Sequence, residues 1–345
     1  MAHSFHISPH QRHLKWSQSL TPALTVPSGS EITFDLLDGG HNQIRPDNEA
    51  TALRDFDFQM TDPAFGPVYV QSAEPGDVLR VDFLDLVPGD YGWTALLPGF
   101  GLLADDPEFV AATPQLKMWD LTETGTLPNA SGRRRLAVLK PGSVAVPVRP
   151  FLGVCGVAPA LAGVELSTIP PYAASGGNMD CRDLSTVGAT LYLPVNVAGA
   201  LFSCGDGHAA QGDGEVCGTA IETPMRARLR LTVEKRAERE AKGWRDGRGL
   251  DCPHYVTPRK GREEVEDEVE ADKGEYAALG IHEDIREASR MAVRGVIDWL
   301  ESEKGLSRVE GYMLCSVASK LRMSEVVDMP NYAVSCALPL SVFLD

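Results

Sequence analysis

Apolar and polar residues alternate in short runs through the first two-thirds of the chain, and this alternation predicts strands. Pro27-Ser-Gly-Ser30 reads as a turn feeding Glu31–Leu37, and Pro75-Gly-Asp77 as a turn feeding Val78–Leu86. In the second run Leu79, Val81 and Phe83 alternate with Arg80 and Asp82, the period of a half-buried strand. The likeness of the two units suggests a weak internal repeat of β units, not a solenoid. Arg226–Val233 alternates most cleanly, with Ala227, Leu229, Leu231 and Val233 on one face and arginines on the other. Phe151–Pro159 is apolar and punctuated by glycine, a strand or tight crossover. From Glu234 to Lys273 the chain is highly charged and broken by glycine and proline, which reads as an insertion or linker. Beyond it the period changes. Ile285, Ala288, Ala292, Val296 and Leu300 recur at helical spacing. Gly305 ends that helix, and Ser307-Arg-Val-Glu310 has the capping-box pattern that opens another. Tyr332–Leu338 reads as a closing strand. The expected fold is α+β and β-dominant: a β-rich region over residues 1–233, a charged linker over 234–273, and a helical and strand part over 274–345.

Composition narrows the class. At 345 residues, 43% hydrophobic and 23% charged, the chain can bury a large core. Nothing resembles a membrane span or a signal peptide. The formal charge of −16 argues against nucleic acid or an anionic membrane as partner. Much of the excess lies in Glu263–Glu275, expected to be a solvated face. Seven cysteines, without CxxC spacing, point away from disulfides or structural zinc and toward the reducing cytoplasm.

Glycine and carboxylate are densest between Gly176 and Glu222. Gly176-Gly-Asn-Met-Asp180 is followed, after an apolar segment, by Cys204-Gly-Asp-Gly-His-Ala-Ala-Gln-Gly-Asp-Gly-Glu215. In extended backbone Asp206 and His208 share a face, as do Asp213 and Glu215. Carboxylates with an imidazole form a common first shell for catalytic zinc or a similar divalent ion, with one position left for water. Glu222 follows small and apolar residues and is a candidate general base, although strand parity with Glu215 turns it away unless a bulge intervenes. It could equally pair with Arg226 or Arg228. Cys204 beside the loop offers a thiol route, against which stands its place in an apolar run. Cys155, Cys181 and Cys217 read as structural. No nucleophile elbow, phosphate loop or dinucleotide fingerprint appears. Earlier, Asp38-Gly-Gly-His-Asn-Gln43 is a turn that could lend His41 or Gln43 to a site, but solvated polar residues are the plainer reading.

Gly176–Leu184, Leu193–Ser203 and Gly205–Val216 together resemble the acetamidase/formamidase family. Leu20–Val26, Gly66-Pro-Val-Tyr-Val70, Ala73–Leu79, Ala288–Leu300 and Ser324–Asn331 extend the resemblance over essentially the whole chain. It implies an amide hydrolase acting on short aliphatic amides such as formamide or acetamide, releasing ammonia and the carboxylate. It further implies a metal-associated homo-oligomer built on a jelly-roll-like β-sandwich with smaller α/β parts. On this reading Asp180, His208 and Glu215 are ligands of a divalent metal ion, zinc. Glu222 or Asp206 handles protons, and Asn178 with loop amides holds the oxyanion. The chain departs from the family in lacking a basic residue in Pro170–Ser175 and in carrying Trp16-Ser-Gln18 for Trp-Asp-Asn; both departures are expected near the pocket mouth. Two alternatives stand beside it: a non-catalytic small-molecule binder on the same fold, and a thiol amidase using Cys204.

Overall fold

The computed structural model describes residues 5–110, 114–127, 133–244, 250–258 and 273–344. Two large sheets dominate it. The first has nine strands, in the order Phe5–Ile7, Ser30–Leu36, Met225–Glu234, Val78–Pro88, Thr190–Pro194, His254–Val256, Glu275–His282, Tyr332–Pro339 and Lys320–Glu325. The second contains Pro171–Tyr172, Gly176–Asn178, Phe151–Gly156, Phe202–His208, Ala64–Val70 and Arg12–His13, with Leu24–Val26 also paired to Ala64–Val70.

Alternation sets which faces meet. Phe34, Val81, Phe83, Ala227, Leu229 and Leu231 of the first sheet share one buried cluster with Phe65, Val68, Leu152, Phe202 and Cys204 of the second. Phe34 and Phe202 meet edge to face at 6.4 Å. The two turn-fed strands of the sequence, Ser30–Leu36 and Val78–Pro88, flank Met225–Glu234 on either side. Strands near the far edge are buried on both faces, so their sequences are nearly continuous apolar runs. Within Glu275–His282, Ala277, Leu279 and Ile281 face the inter-sheet core, while Tyr276 and Ala278 meet the helices.

Helix Ile285–Lys304 begins at Asp284, which accepts from the amides of Arg286 and Glu287, and ends at left-handed Gly305. Ala288, Ala292, Val296 and Leu300 are fully buried, as their spacing predicts. Helix Arg308–Ala318 opens with the expected capping box of Ser307 and Glu310.

The charged stretch 234–273 differs from a plain linker. His254–Val256 is an interior strand of the nine-stranded sheet, and Trp244 packs in the helix-side core with its indole donating to Glu303 at 2.7 Å. The sheet runs unbroken from the β-rich region into the C-terminal strands. Residues 259–272 lie outside the described residues. Arg135, in the strand Arg134–Lys140, donates to the carbonyls of Leu121 and Gly89. Glu275, at the end of the acidic run, is buried and paired with Lys320. Among the described residues no helix is long and apolar enough to cross a membrane.

Two histidines are built into this scaffold uncharged. Burial pushes His254, which shares a 2.6 Å hydrogen bond with the Tyr276 hydroxyl, down to about 3. Burial likewise pushes His13, beside Ser203, down to about 4. The unfolded chain takes up these protons near pH 6.5 and the folded chain only much lower. The stability they contribute is therefore complete above pH 6.5 and is lost as pH falls toward 3 to 4. Each adds up to ~1.4 kcal/mol per pH unit to that loss. In urea denaturation between pH 6.5 and 4.5, His254→Gln is expected to lose stability less steeply than the parent, by about 1 kcal/mol per unit; equal slopes would contradict a neutral His254.

Candidate active site

Neighbouring strands bring the site together through register. Leu152 pairs with Gly207 and Val154 with Gly205, so Gly153 lies opposite Asp206. A Cβ on Gly153 would collide with carboxylate oxygens of both Asp206 and Asp180, and one on Gly39 would lie 2.9 Å from Glu222 Oε2 and collide with Asp206. At these two positions only glycine leaves the acids room. The carbonyl of Gly153 also accepts from the amides of Met179 and Asp180, which fixes the turn carrying Asp180.

Glu222 arrives by a route that parity does not foresee. Residues 212–221 form a looped excursion with left-handed Glu215, Gly214 and Gly218. Glu222 then bridges antiparallel to His208 on one side and Trp93 on the other. It exchanges both backbone hydrogen bonds with Trp93, at 2.9 and 2.8 Å. Residues directly opposite in antiparallel pairs project to the same face, so Glu222 and His208 meet without any bulge. Phe151 closes the back of the imidazole edge to face at 5.0 Å.

The resulting centre is crowded with acids. His208 Nε2 is 2.9 Å from Asp206 Oδ2, 3.1 Å from Glu222 Oε2 and 3.8 Å from Glu215 Oε1. Its Nδ1 is 2.8 Å from Gln211 Oε1 and 3.7 Å from Asp180 Oδ1, and Gln211 donates its own amide to the Asp180 carbonyl. Asn178 donates to Asp328 at 2.8 Å while its own carbonyl oxygen is buried without a partner. Both carboxylate oxygens of Asp180 are likewise buried and unpartnered.

Charge follows from this packing. Burial, and after it neighbouring carboxylates such as Asp206 and Asp180, raises Asp180, Glu215, Asp62 and Asp328 well above the carboxylate range. Burial raises Glu222 to about 7, against the pull of His208. Asp206 is the exception. Burial works against its charge, but His208 and hydrogen bonds from its neighbours hold it low. His208 is raised for the matching reason: its burial is outweighed by Asp206 and Glu222. Asp62, Asp180, Asp206 and Glu215 all sit in left-handed backbone, with φ of 52°, 40°, 54° and 47°. Strain of this kind concentrates at functional sites.

The acids open on a cavity of about 40 Å³. Phe56, Phe58, Trp93, Leu97 and Phe100 supply apolar lining, and Asn178, Asp206, His208, Glu215, Glu222, Asp62 and Asp328 supply polar lining. Of the residues singled out from sequence, Asn178, Asp206, His208, Glu215 and Glu222 line the cavity, and Asp180 stands beside them, 3.7 Å from His208 Nδ1, without lining it. Asp213 does not: it pairs with Arg182 at 3.2 Å near the surface. The early turn contributes Gly39 and Gly40, whereas Gln43 is tied to the Asp57 backbone. Trp16 and the Pro170 segment do not line the cavity. Trp16 is buried against Ala64 and Val154, and Tyr172 packs on that cluster. Cys204 lies in the inter-sheet core opposite Cys155, with burial raising its thiol well above the ordinary range, so it cannot supply a thiolate to the cavity. Asp62, Asp328 and the aromatic wall went unread in the sequence; the Asp328 segment carried a signal only as part of the family resemblance.

Two overlapping triads could hold a metal ion. Ligand atoms of Asp180, His208 and Glu215 lie within 4.8 Å of one another, as do those of Asp206, His208 and Glu222. Carboxylates and an imidazole around so small a cavity are groups suited to proton transfer and to binding a cation. The chain belongs to the Acetamidase/Formamidase family, whose sequence profile matches residues 2–166 and 160–345. It is 31% identical to an acetamidase of Mycolicibacterium smegmatis over 61% of this chain and 63% of that one. It is 26% identical to a formamidase of Methylophilus methylotrophus over 96% of this chain and 89% of that one. The crystal structure of an acetamidase from Bacillus halodurans superposes with a TM-score of 0.79 at 27% identity, covering 98% of each chain.

Acids this crowded destabilise the chain when no cation offsets them. Asp180→Asn keeps the shape and removes an acid that burial and its carboxylate neighbours disfavour in the ionised form. Urea denaturation in chelator should show the variant about 1–2 kcal/mol more stable than the parent. A loss of stability would mean that Asp180 is satisfied in a way its surroundings do not suggest.

Proposed function

We propose that this amidohydrolase cleaves the C–N bond of a small linear amide such as formamide or acetamide, using one divalent cation, zinc, held at His208. The observation that carries this reading is the orientation of that imidazole. Gln211 occupies Nδ1, as the outer partner of a metal-bound histidine does, and leaves Nε2 aimed at Asp206 and Glu222. Orphaned oxygens on Asp180 fit a cation as well. When bound, such an ion supplies Lewis-acid polarisation of the amide carbonyl and acidifies water.

The chain's own residues supply the rest. Asp206, Glu222 and His208 Nε2 are the ligands this geometry favours, leaving Glu215 and Asp180 to move protons. The set that the family resemblance implies, Asp180, His208 and Glu215, is also close enough, and then Glu222 and Asp206 take the proton role. In either case a site carboxylate in its ionised form takes a proton from water as the water oxygen bonds to the carbonyl carbon. The same proton passes to nitrogen as the C–N bond breaks, giving the carboxylic acid and ammonia, and the acid then gives its proton to the ammonia to leave carboxylate and ammonium. Asn178, which lines the cavity and gives one amide hydrogen to Asp328, would steady the negative oxygen with the other. The aromatic wall excludes bulk water and receives the acyl group, and its tightness selects one or two carbons. Seven free cysteines fit a reducing cytoplasm.

Ammonia release from formamide, acetamide, propionamide and butyramide tests this. Chelation should abolish turnover and added zinc restore it, and Glu215→Gln should lower kcat by about 10²–10⁴ with little change in KM. A zinc-loaded protein that releases ammonia from none of the four is a binder, not this enzyme. Bound-metal content separates the ligand sets: Asp206→Asn empties the favoured site, and Asp180→Asn the other. Phe100 packs over Gly218 at the wall, and Phe100→Ala should shift preference toward butyramide by about tenfold or more. An unchanged preference would remove Phe100 from the acyl site.

A further inference from the structure

The side-chain amide of Asn178 is held at one end only. Its Nδ2 donates to Asp328 Oδ2 at 2.8 Å, whereas its Oδ1 is buried with no partner among the described residues. Both residues line the cavity. A buried carbonyl oxygen in that position is costly until a donor reaches it. The orientation of the amide is imposed from outside. Asp328 stands on a turn in which the amides of Val327 and Asp328 both donate to the carboxylate of Glu325, itself fully buried. Further along, Asn331 donates to the carbonyl of Pro171, in the strand paired with Gly176–Asn178. Turn and strand are thereby fixed to each other. The Asp328 carboxyl meets the Asn178 nitrogen, and the oxygen end is left for whatever enters the cavity. The hydroxyls lining the cavity are engaged with backbone: Thr61 donates to the Phe58 carbonyl, and Thr219 donates to the carbonyl of Ala95 and accepts from its amide.

We infer that Asn178 recognises the amide group of the substrate edge to edge, and that Asp328 is the positioning residue that keeps Asn178 Oδ1 turned toward the substrate nitrogen. The inference rests on the amide-cleaving function proposed above. Asn178 accepts an N–H of the substrate at Oδ1 while its second N–H meets the substrate's carbonyl oxygen, one planar amide pairing with another. Such pairing requires C=O and N–H along one edge of the substrate. An unsubstituted amide offers that edge. A secondary amide in its favoured trans form turns its N–H to the opposite edge and sets its N-substituent where the hydrogen is needed. An ester has no N–H to offer. The oxygen therefore selects against both, as sites built to bond a particular N–H do. Were the Asn178 amide turned the other way, the cavity would meet only its donors, and amide and ester would be treated alike.

The parent enzyme supplies the first test. β-Propiolactam and N-methylacetamide have equal numbers of heavy atoms, but the ring of the lactam locks C=O and N–H on one edge. As competitors of acetamide hydrolysis, the lactam should bind about tenfold or more tightly than the open-chain amide; equal binding, or the reverse order, overturns the inference. Variants supply the second, through kcat/KM on acetamide and on methyl acetate. In Asn178→Leu and in Asp328→Leu the acetamide-to-ester ratio should fall about tenfold or more. The double variant should keep the ratio of Asn178→Leu alone, because Asp328 acts through Asn178. Parallel loss of both activities, or a double variant whose ratio falls by the product of the two, refutes these roles. The lactam comparison needs no variant and decides the matter should either fail to fold. A metal-loaded parent that hydrolyses no amide sinks the proposed function itself, whereas one that hydrolyses acetamide without regard to the amide edge sinks only the pairing.

Discussion

The structure turns on the cost of keeping carboxylates together where water cannot screen them. Asp180, Asp206, Glu215 and Glu222 are all at least nine-tenths buried and face one imidazole. Desolvation alone disfavours each charge, and every neighbour of like sign makes it worse. A fold selected for stability alone would replace them with apolar side chains of similar size. Their retention, in left-handed backbone at three of those four positions, fits the proposed cation, whose positive charge would offset them.

The surrounding architecture is what allows that arrangement to persist. Gly153 and Gly39 leave open the volume into which the acids point. Phe151, Gly153 and the strand Phe202–His208 lie in a sheet whose inner face is locked by the inter-sheet core, so the register that sets Gly153 against Asp206 cannot slip without turning Phe202 and Cys204 out of that core. A one-residue shift would exchange the core and site faces entirely. Rigidity at the site is thus a consequence of apolar packing on the opposite side of the same strands.

The parts of this that were legible in the sequence were those decided within one element. The period-2 strands, the Ala288–Leu300 helix face and the capping box depend on residues a few positions apart, and they appear as expected. Asp206 and His208 were legible for the same reason, being two residues apart on one strand. Glu222 was legible as an acid in an apolar setting, but its direction depends on pairing with both Trp93 and His208, which no local period encodes. Asp62 and Asp328 are more than 100 residues from His208 on either side, and only the closed topology brings them to the cavity. The strand His254–Val256 was hidden in a charged stretch because three residues are too few to show a period.

Distance along the chain also bears on how the site comes into being. Cavity residues come from the early turn at Gly39, the Asp62 turn, the central strands and the Asp328 segment, and Gly214 donates to the carbonyl of Ser324 to tie the Glu215 loop to the last of these. Most of these contacts are between residues far apart in sequence, whose loop-closure entropy must be met before they contribute. The acids are thus brought together by the closure of the two sheets, whose apolar burial opposes their repulsion. A cation bound there would add its binding free energy to the stability of the folded chain.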